Sequence, residues 1–137
     1  MQTNEQLLDL LENYLAQREL PTEPERLYDP IRYSLAGGGK RLRPMLLLLS
    51  CGLFADDVDV ALPAAAAVEI FHNFTLLHDD IMDNAAVRRG KPSVYARWGG
   101  NVAILSGDAM LISAYRLLAQ APPALLPRIL EVFNTMA

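Results

Sequence analysis

The sequence predicts an all-α fold, a helical bundle, and two observations carry that reading. Every long segment of the 137-residue chain repeats its apolar residues at the period of a helix. No segment shows the strict apolar–polar alternation of a half-buried strand. With 52% hydrophobic residues the chain has enough apolar surface for one core, so residues 1–137 read as a single all-helical domain.

The elements follow in order. Leu7, Leu8, Leu11, Tyr14 and Leu15 make the stripe of a first amphipathic helix, closed by a loop around Pro21 and Pro24. A second helix covers Glu25 to Ala36 and stops at Gly37-Gly38-Gly39, where glycine admits the left-handed conformation that ends helices. Pro44 suits the first turn of a third helix, Arg43 to about Phe54, where its missing N–H costs nothing. Ala61 to Asp83 is the longest candidate, with Pro63 in its first turn and four alanines following. A polar connection runs from Asn84 to Pro92, and Ser93 is placed to cap a short turn ending at Gly99-Gly100. Asn101 is expected to cap a helix reaching about Gln120, which Pro122-Pro123 breaks. In the last helix Leu125, Ile129, Leu130, Phe133 and Met136 form a stripe that meets Ala137 with no glycine or asparagine cap. Such a stripe must pack on something. Either it folds back on this core, or the chain is the front part of a longer protein.

Charge and composition narrow the class. The formal net charge is −4, and the only lysines are Lys40 and Lys91, which argues against a nucleic-acid surface. Cys51 is alone, so no intramolecular disulfide forms, as in a reducing compartment. Met1 to Glu12 is acidic and lacks a basic leader, so a secretory signal is not expected. The apolar run Met45 to Leu49 is far shorter than the roughly 20 residues of a membrane span. These features lead us to expect a cytoplasmic protein without a transmembrane segment.

The chemistry concentrates at Asp79-Asp80-Ile81-Met82-Asp83, three carboxylates at the end of an apolar helix. Burying ionised carboxylates among Phe71, Leu76, Leu77, Ile81 and Met82 requires a compensating partner, and like charges this close call for a cation between them. Mg²⁺ fits, because it takes oxygen ligands from one or two carboxylates together with phosphate oxygens. On a helical wheel Asp79 and Asp83 lie about 40° apart and roughly 6 Å along the axis, with Asp80 read as flanking them. His72 sits about 20° from Asp79 on the wheel and roughly 10 Å away along the axis, where an imidazole can hydrogen-bond. A satisfied core histidine remains an equal reading for His72, and His78, about 100° off Asp79, reads as structural.

Two basic clusters flank the acidic one. Gly37-Gly38-Gly39-Lys40-Arg41-Leu42-Arg43-Pro44 places a glycine turn at a helix start, where free backbone N–H groups and the dipole favour phosphate. Lys40 and Arg43 could grip one diphosphate; the G-x-x-x-x-G-K-[ST] spacing of a Walker loop is absent. Arg88-Arg89-Gly90-Lys91-Pro92 follows Asp83 closely, and arginine forks match phosphate oxygens. Solvated loop charge is the bland reading of either cluster taken alone. One acidic and two basic clusters together imply two polyphosphate groups, and the apolar helices between them imply that their carriers are greasy.

Gly38-Gly39-Lys40-Arg41-Leu42-Arg43-Pro44, His72, Leu77-His78-Asp79-Asp80-Ile81-Met82-Asp83, Arg88-Arg89-Gly90 and Leu105-Ser106-Gly107-Asp108 together resemble a trans-isoprenyl diphosphate synthase, from about Leu27 to Leu118. The resemblance implies the N-terminal part of an isoprenoid synthase bundle and a homodimer at full length. It assigns Lys40, Arg43, His72 and Arg89 to isopentenyl diphosphate. Asp79 and Asp83, supported by Asp80, correspond to Mg²⁺ ligands that bind the allylic diphosphate, which Arg88 also contacts. Phe74 and Thr75, five and four positions before the first aspartate, correspond to residues that line the pocket of the growing product. Thr75 shares the aspartate face of the wheel; Phe74, about 140° away, owes this role to the resemblance alone.

The implied reaction is ionisation of the allylic diphosphate, attack of the isopentenyl double bond head to tail, and proton loss, in a pocket that excludes water. Family members are longer and carry a second aspartate-rich motif on a later helix. No second D-D-x-x-D occurs before Ala137, so this polypeptide alone is expected to be inactive. Two other readings are a class I terpene cyclase, for which the Lys40/Arg43 cluster lacks a purpose, and a non-catalytic helical subunit modulating a full-length partner.

Overall fold

The computed structural model describes residues 1–137. Its elements are α1 (Asn4–Gln17), α2 (Glu25–Ala36), α3 (Leu42–Gly52), a 3-10 turn (Asp59–Ala61), α4 (Leu62–Met82), β1 (Val87–Arg88), β2 (Lys91–Pro92), α5 (Val94–Trp98), α6 (Gly100–Leu118) and α7 (Leu126–Met136). The all-α expectation holds, and α2 has the bounds its glycine stop predicts. Ser93 caps α5 as expected, its Oγ accepting from the Ala96 N–H at 3.0 Å while its own hydrogen goes to the Ala85 carbonyl at 2.6 Å.

Two local expectations are corrected. Asn101 does not cap α6. Gly99 takes φ +89 and its carbonyl accepts the first helical bond from Ala103 N at 3.1 Å, so Asn101 already lies in the first turn. The polar connection after α4 contains an antiparallel ladder, Val87 opposite Pro92 and Arg88 opposite Lys91. Its two turn residues, Arg89 (φ 54) and Gly90 (φ 76), are both left-handed, as a tight two-residue hairpin turn of type I′ requires.

The chain forms two compact units. The first comprises Met1–Gln17, Arg41–Glu69 and Ser113–Ala137. Its core is Leu7 and Leu11 of α1, Leu48 of α3, Val58 just before the 3-10 turn, and Leu62 and Ala65 at the start of α4. Arg41 is buried within it and pairs with Glu12 and Glu69, each at 2.8 Å. Burial pulls the Arg41 pKa down, but hydrogen bonds to Glu12 and Glu69 outweigh it and hold the group above its ordinary value. From the stripe of α7, Phe133 is buried, its ring edge-on to Tyr115 with centroids 5.3 Å apart, whereas Leu125 and Met136 stay more than half exposed.

The second unit comprises Arg18–Lys40 and Ile70–Ile112. It packs α2, the C-terminal half of α4, the hairpin, α5 and most of α6, with Ile31, Ile70, Leu77, Val94, Ala103 and Met110 buried. Ser106 Oγ donates to the Leu27 carbonyl at 2.8 Å, tying α6 to α2. The stretch Asp59–Met82 is by length and composition long and apolar enough to cross a membrane, which the expectation drawn from Met45–Leu49 passes over. Of its most apolar window, 44% is buried inside protein, with Ala65, Ala66, Ala67, Ile70 and Leu77 at 2% exposure or less.

Candidate active site

The second unit places the acidic motif where α4 ends. Asp83 N donates to the Asp79 carbonyl at 2.8 Å, so the helical repeat continues through Asp83 and stacks the two aspartates one turn apart. Asn84 then takes φ +51, Asn84 N reaches the Ile81 carbonyl (3.3 Å) and Ala85 N the Asp80 carbonyl (2.9 Å). This is a Schellman closure with asparagine in the left-handed position, and it turns the chain back along α4.

The three carboxylates do not share one environment, which corrects the expectation of a buried trio. Asp79 and Asp83 are exposed, whereas Asp80 is 3% exposed. Consecutive helical residues point about 100° apart, so Asp80 faces inward when Asp79 faces out. Asp80 Oδ2 accepts from Arg88 Nε and Oδ1 from Arg88 Nη2, both at 2.8 Å, a two-pronged ion pair. The hydrogen bond to Asp80 raises the Arg88 pKa against the opposing effect of burial, and the charges of Asp79 and Asp83 add to the rise.

The hairpin also meets the glycine turn. Arg89 Nη1 donates to the Gly38 carbonyl, and a Cβ on Gly39 would lie 3.0 Å from Arg89 Nη2. Gly38 (φ 77) and Gly39 (φ 146) adopt backbone conformations that side chains disfavour, so the turn requires both glycines. Tyr33 Oη donates to the Pro92 carbonyl at 2.7 Å, anchoring β2 to α2. The Arg97 guanidinium lies 4.8 Å from the Tyr33 ring centre and 4.4 Å from that of Trp98. Sequence reasoning missed this cluster; the adjacent Arg97-Trp98 pair was its only local signal. A cavity of about 40 Å³ is lined by Tyr33, Asn73, Asp80, Arg88, Arg89 and Lys91.

The remaining residues singled out from the sequence are placed as follows. Lys40 is exposed at the end of the second unit's first segment, and Arg43 is exposed in the first turn of α3, in the other unit. His72 is half-buried in α4, and Thr75 Oγ1 donates to the His72 carbonyl at 2.6 Å, so that hydroxyl is spent on its own helix. Phe74 is half-buried, edge-on to His78 with ring centres 4.8 Å apart and 5.5 Å from Phe71. His78 has the structural role expected of it, its Nε2 lying 3.2 Å from the Ile104 carbonyl. No cluster of three or more His, Cys, Asp or Glu side chains that could hold a metal ion occurs in the chain. Two exposed carboxylates one turn apart do suit Mg²⁺, which completes its shell with phosphate oxygens and water.

The polyprenyl synthetase family model matches residues 24–137. The chain is 43% identical over 128 residues to a geranylgeranyl diphosphate synthase of Cyanophora paradoxa, covering 87% of this chain and 43% of that protein. It is 48% identical over 99 residues to the geranylgeranyl diphosphate synthase of Methanosarcina mazei, covering 72% of this chain and 31% of the relative. Among solved structures, one of a geranylgeranyl pyrophosphate synthase matches with a TM-score of 0.94 at 47% identity, over 98% of this chain and 41% of that one. A geranylgeranyl pyrophosphate synthetase from Pyrococcus horikoshii matches with a TM-score of 0.80 at 38% identity, over 96% and 38%. The chain thus spans less than half the length of each of these relatives.

Proposed function

The chain belongs to the polyprenyl synthetase family, and from that premise we propose that the full protein is a trans-prenyltransferase. It condenses isopentenyl diphosphate head to tail with an allylic diphosphate and releases a linear isoprenyl diphosphate. The observation that supports this most is the exposed Asp79/Asp83 pair at the end of α4, in one unit with the Arg88–Arg89 hairpin. Similarity to geranylgeranyl diphosphate synthases adds to it.

Asp79 and Asp83 would hold Mg²⁺, which when bound supplies Lewis-acid stabilisation of the departing diphosphate. The chain's own part is electrostatic and steric. Arg88 spends Nε and Nη2 on Asp80 and keeps its Nη1 hydrogens for the leaving group, where negative charge develops. Lys40, His72 and Arg89, all of the second unit, hold isopentenyl diphosphate. Phe74 and Thr75 limit how far the product extends, and apolar side chains keep water from the cation. Homodimeric assembly and a cytoplasmic location belong to the same proposal.

Incubating the full-length protein with Mg²⁺, isopentenyl diphosphate and an allylic diphosphate tests it. Chromatography after dephosphorylation should show linear alcohols longer than the starting allylic chain. Cyclised hydrocarbons would favour a terpene cyclase, and no elongation at all would overturn the reading.

A further inference from the structure

A hairpin with two-residue strands is marginal in water, so the turn that carries Arg88 and Arg89 keeps its direction only where other elements hold it. Arg88, on β1, is held through Asp80 of α4. The opposite strand is held from α2. Ser93 N donates to the Ala86 carbonyl at 3.0 Å, and the alternation of an antiparallel ladder then turns the backbone groups of the next pair, Val87 and Pro92, outward. Pro92 has no N–H to offer there, and its carbonyl accepts from Tyr33 Oη at 2.7 Å. The Tyr33 ring is itself clasped: Trp98 meets it edge-on with centroids 5.1 Å apart, and the Arg97 guanidinium lies over both rings. Just beyond the end of α2, the Gly38 carbonyl accepts from Arg89 Nη1. Tyr33 and Gly38 thus hold the outer strand and the tip of one hairpin.

We propose that Tyr33 is a positioning residue for isopentenyl diphosphate: its hydroxyl straps β2 to α2 and so holds Arg89 against the glycine turn that ends at Lys40. This rests on the prenyltransferase reading and gives the two arginines of the hairpin separate supports. Arg88 keeps its place through α4, and Arg89 keeps its place through Tyr33.

Two readouts on the full-length protein decide the point, both with Tyr33→Phe, which keeps the ring in its clasp and removes only the hydroxyl. The first is amide hydrogen exchange of the Val87–Pro92 segment without substrate, which needs no turnover. Exchange there should quicken by about threefold to tenfold, the worth of one neutral hydrogen bond. The second is steady-state kinetics. KM for isopentenyl diphosphate should rise by about the same factor, with kcat at saturation and KM for the allylic diphosphate retained. Arg89→Gln should raise KM for isopentenyl diphosphate by at least about tenfold, and Tyr33→Phe added to it should raise it no further, because the strap acts through that arginine. Unchanged exchange in the hairpin, an equal rise in KM for both substrates, or effects of the two substitutions that multiply would overturn the proposal. Failure of the unsubstituted protein to elongate an allylic diphosphate would instead strike the prenyltransferase reading, while the exchange comparison still judges the strap.

Discussion

Gly107 of α6 lies directly against the His78 ring of α4: a Cβ built on Gly107 would stand 2.5 Å from His78 Nε2 and 3.4 Å from Phe74 Cδ2. The glycine is what lets the two helices of the second unit approach where His78 holds the Ile104 carbonyl. It gives the Leu105-Ser106-Gly107-Asp108 motif a packing reason, alongside the bond from Ser106 to Leu27. Gly107→Ala should push His78 off its acceptor and overpack the contact, costing about 1–3 kcal/mol. Denaturant unfolding measures this; a midpoint unchanged from the parent would show that the helices can separate freely.

Phe74 shares that contact, and its substitution tests its assignment to product length. Phe74→Ala removes a ring that packs on His78 and Phe71 and opens a cavity beside α4. If the ring also blocks the growing chain, the full-length variant makes products longer by one or more five-carbon units. Chromatography of the dephosphorylated products reads this directly. An unchanged distribution from an active, folded variant would assign Phe74 to packing alone.

Arg41 sits in the middle of a motif otherwise read as phosphate-binding, yet its guanidinium is buried between Glu12 and Glu69. Arg41→Met removes the guanidinium that pairs with Glu69, 3% exposed at its side chain, and should destabilise the first unit by about 3–5 kcal/mol. Replacing both partners, as in Arg41→Met with Glu69→Leu, should recover most of that loss, because both members of the buried pair are then apolar. Because the Arg41 pKa is raised in the fold, the stability it contributes at neutral pH fades on the alkaline side only in strong alkali. A urea midpoint for the single variant equal to that of the parent would refute the structural role.

The helices were legible because their apolar period is long and their stops are chemical: the glycines after Ala36 and the serine before Val94 mark real boundaries. The hairpin was not legible, since two-residue strands are too short to show alternation; the Arg89-Gly90 pair was the only trace of its turn. At the site, the wheel correctly put Asp79 and Asp83 together but could not say which side of the helix end faced inward, and so misplaced Asp80. Its partner Arg88 is eight positions on, reached only through a turn at Asn84. Arg41 escaped notice for a related reason: Glu12 and Glu69 are 29 and 28 residues away in the chain. Pairings made by tertiary folding leave no local spacing to read.

The central claim is that Asp79 and Asp83 act together on the leaving diphosphate, and steady-state turnover of Asp79→Ala and Asp83→Ala in the full-length protein tests it most directly. At saturating Mg²⁺, with helical content unchanged by circular dichroism, each variant should lose at least about 10²-fold in kcat, the scale of removing one group that stabilises developing charge. Turnover by both variants close to that of the unsubstituted enzyme would contradict the account.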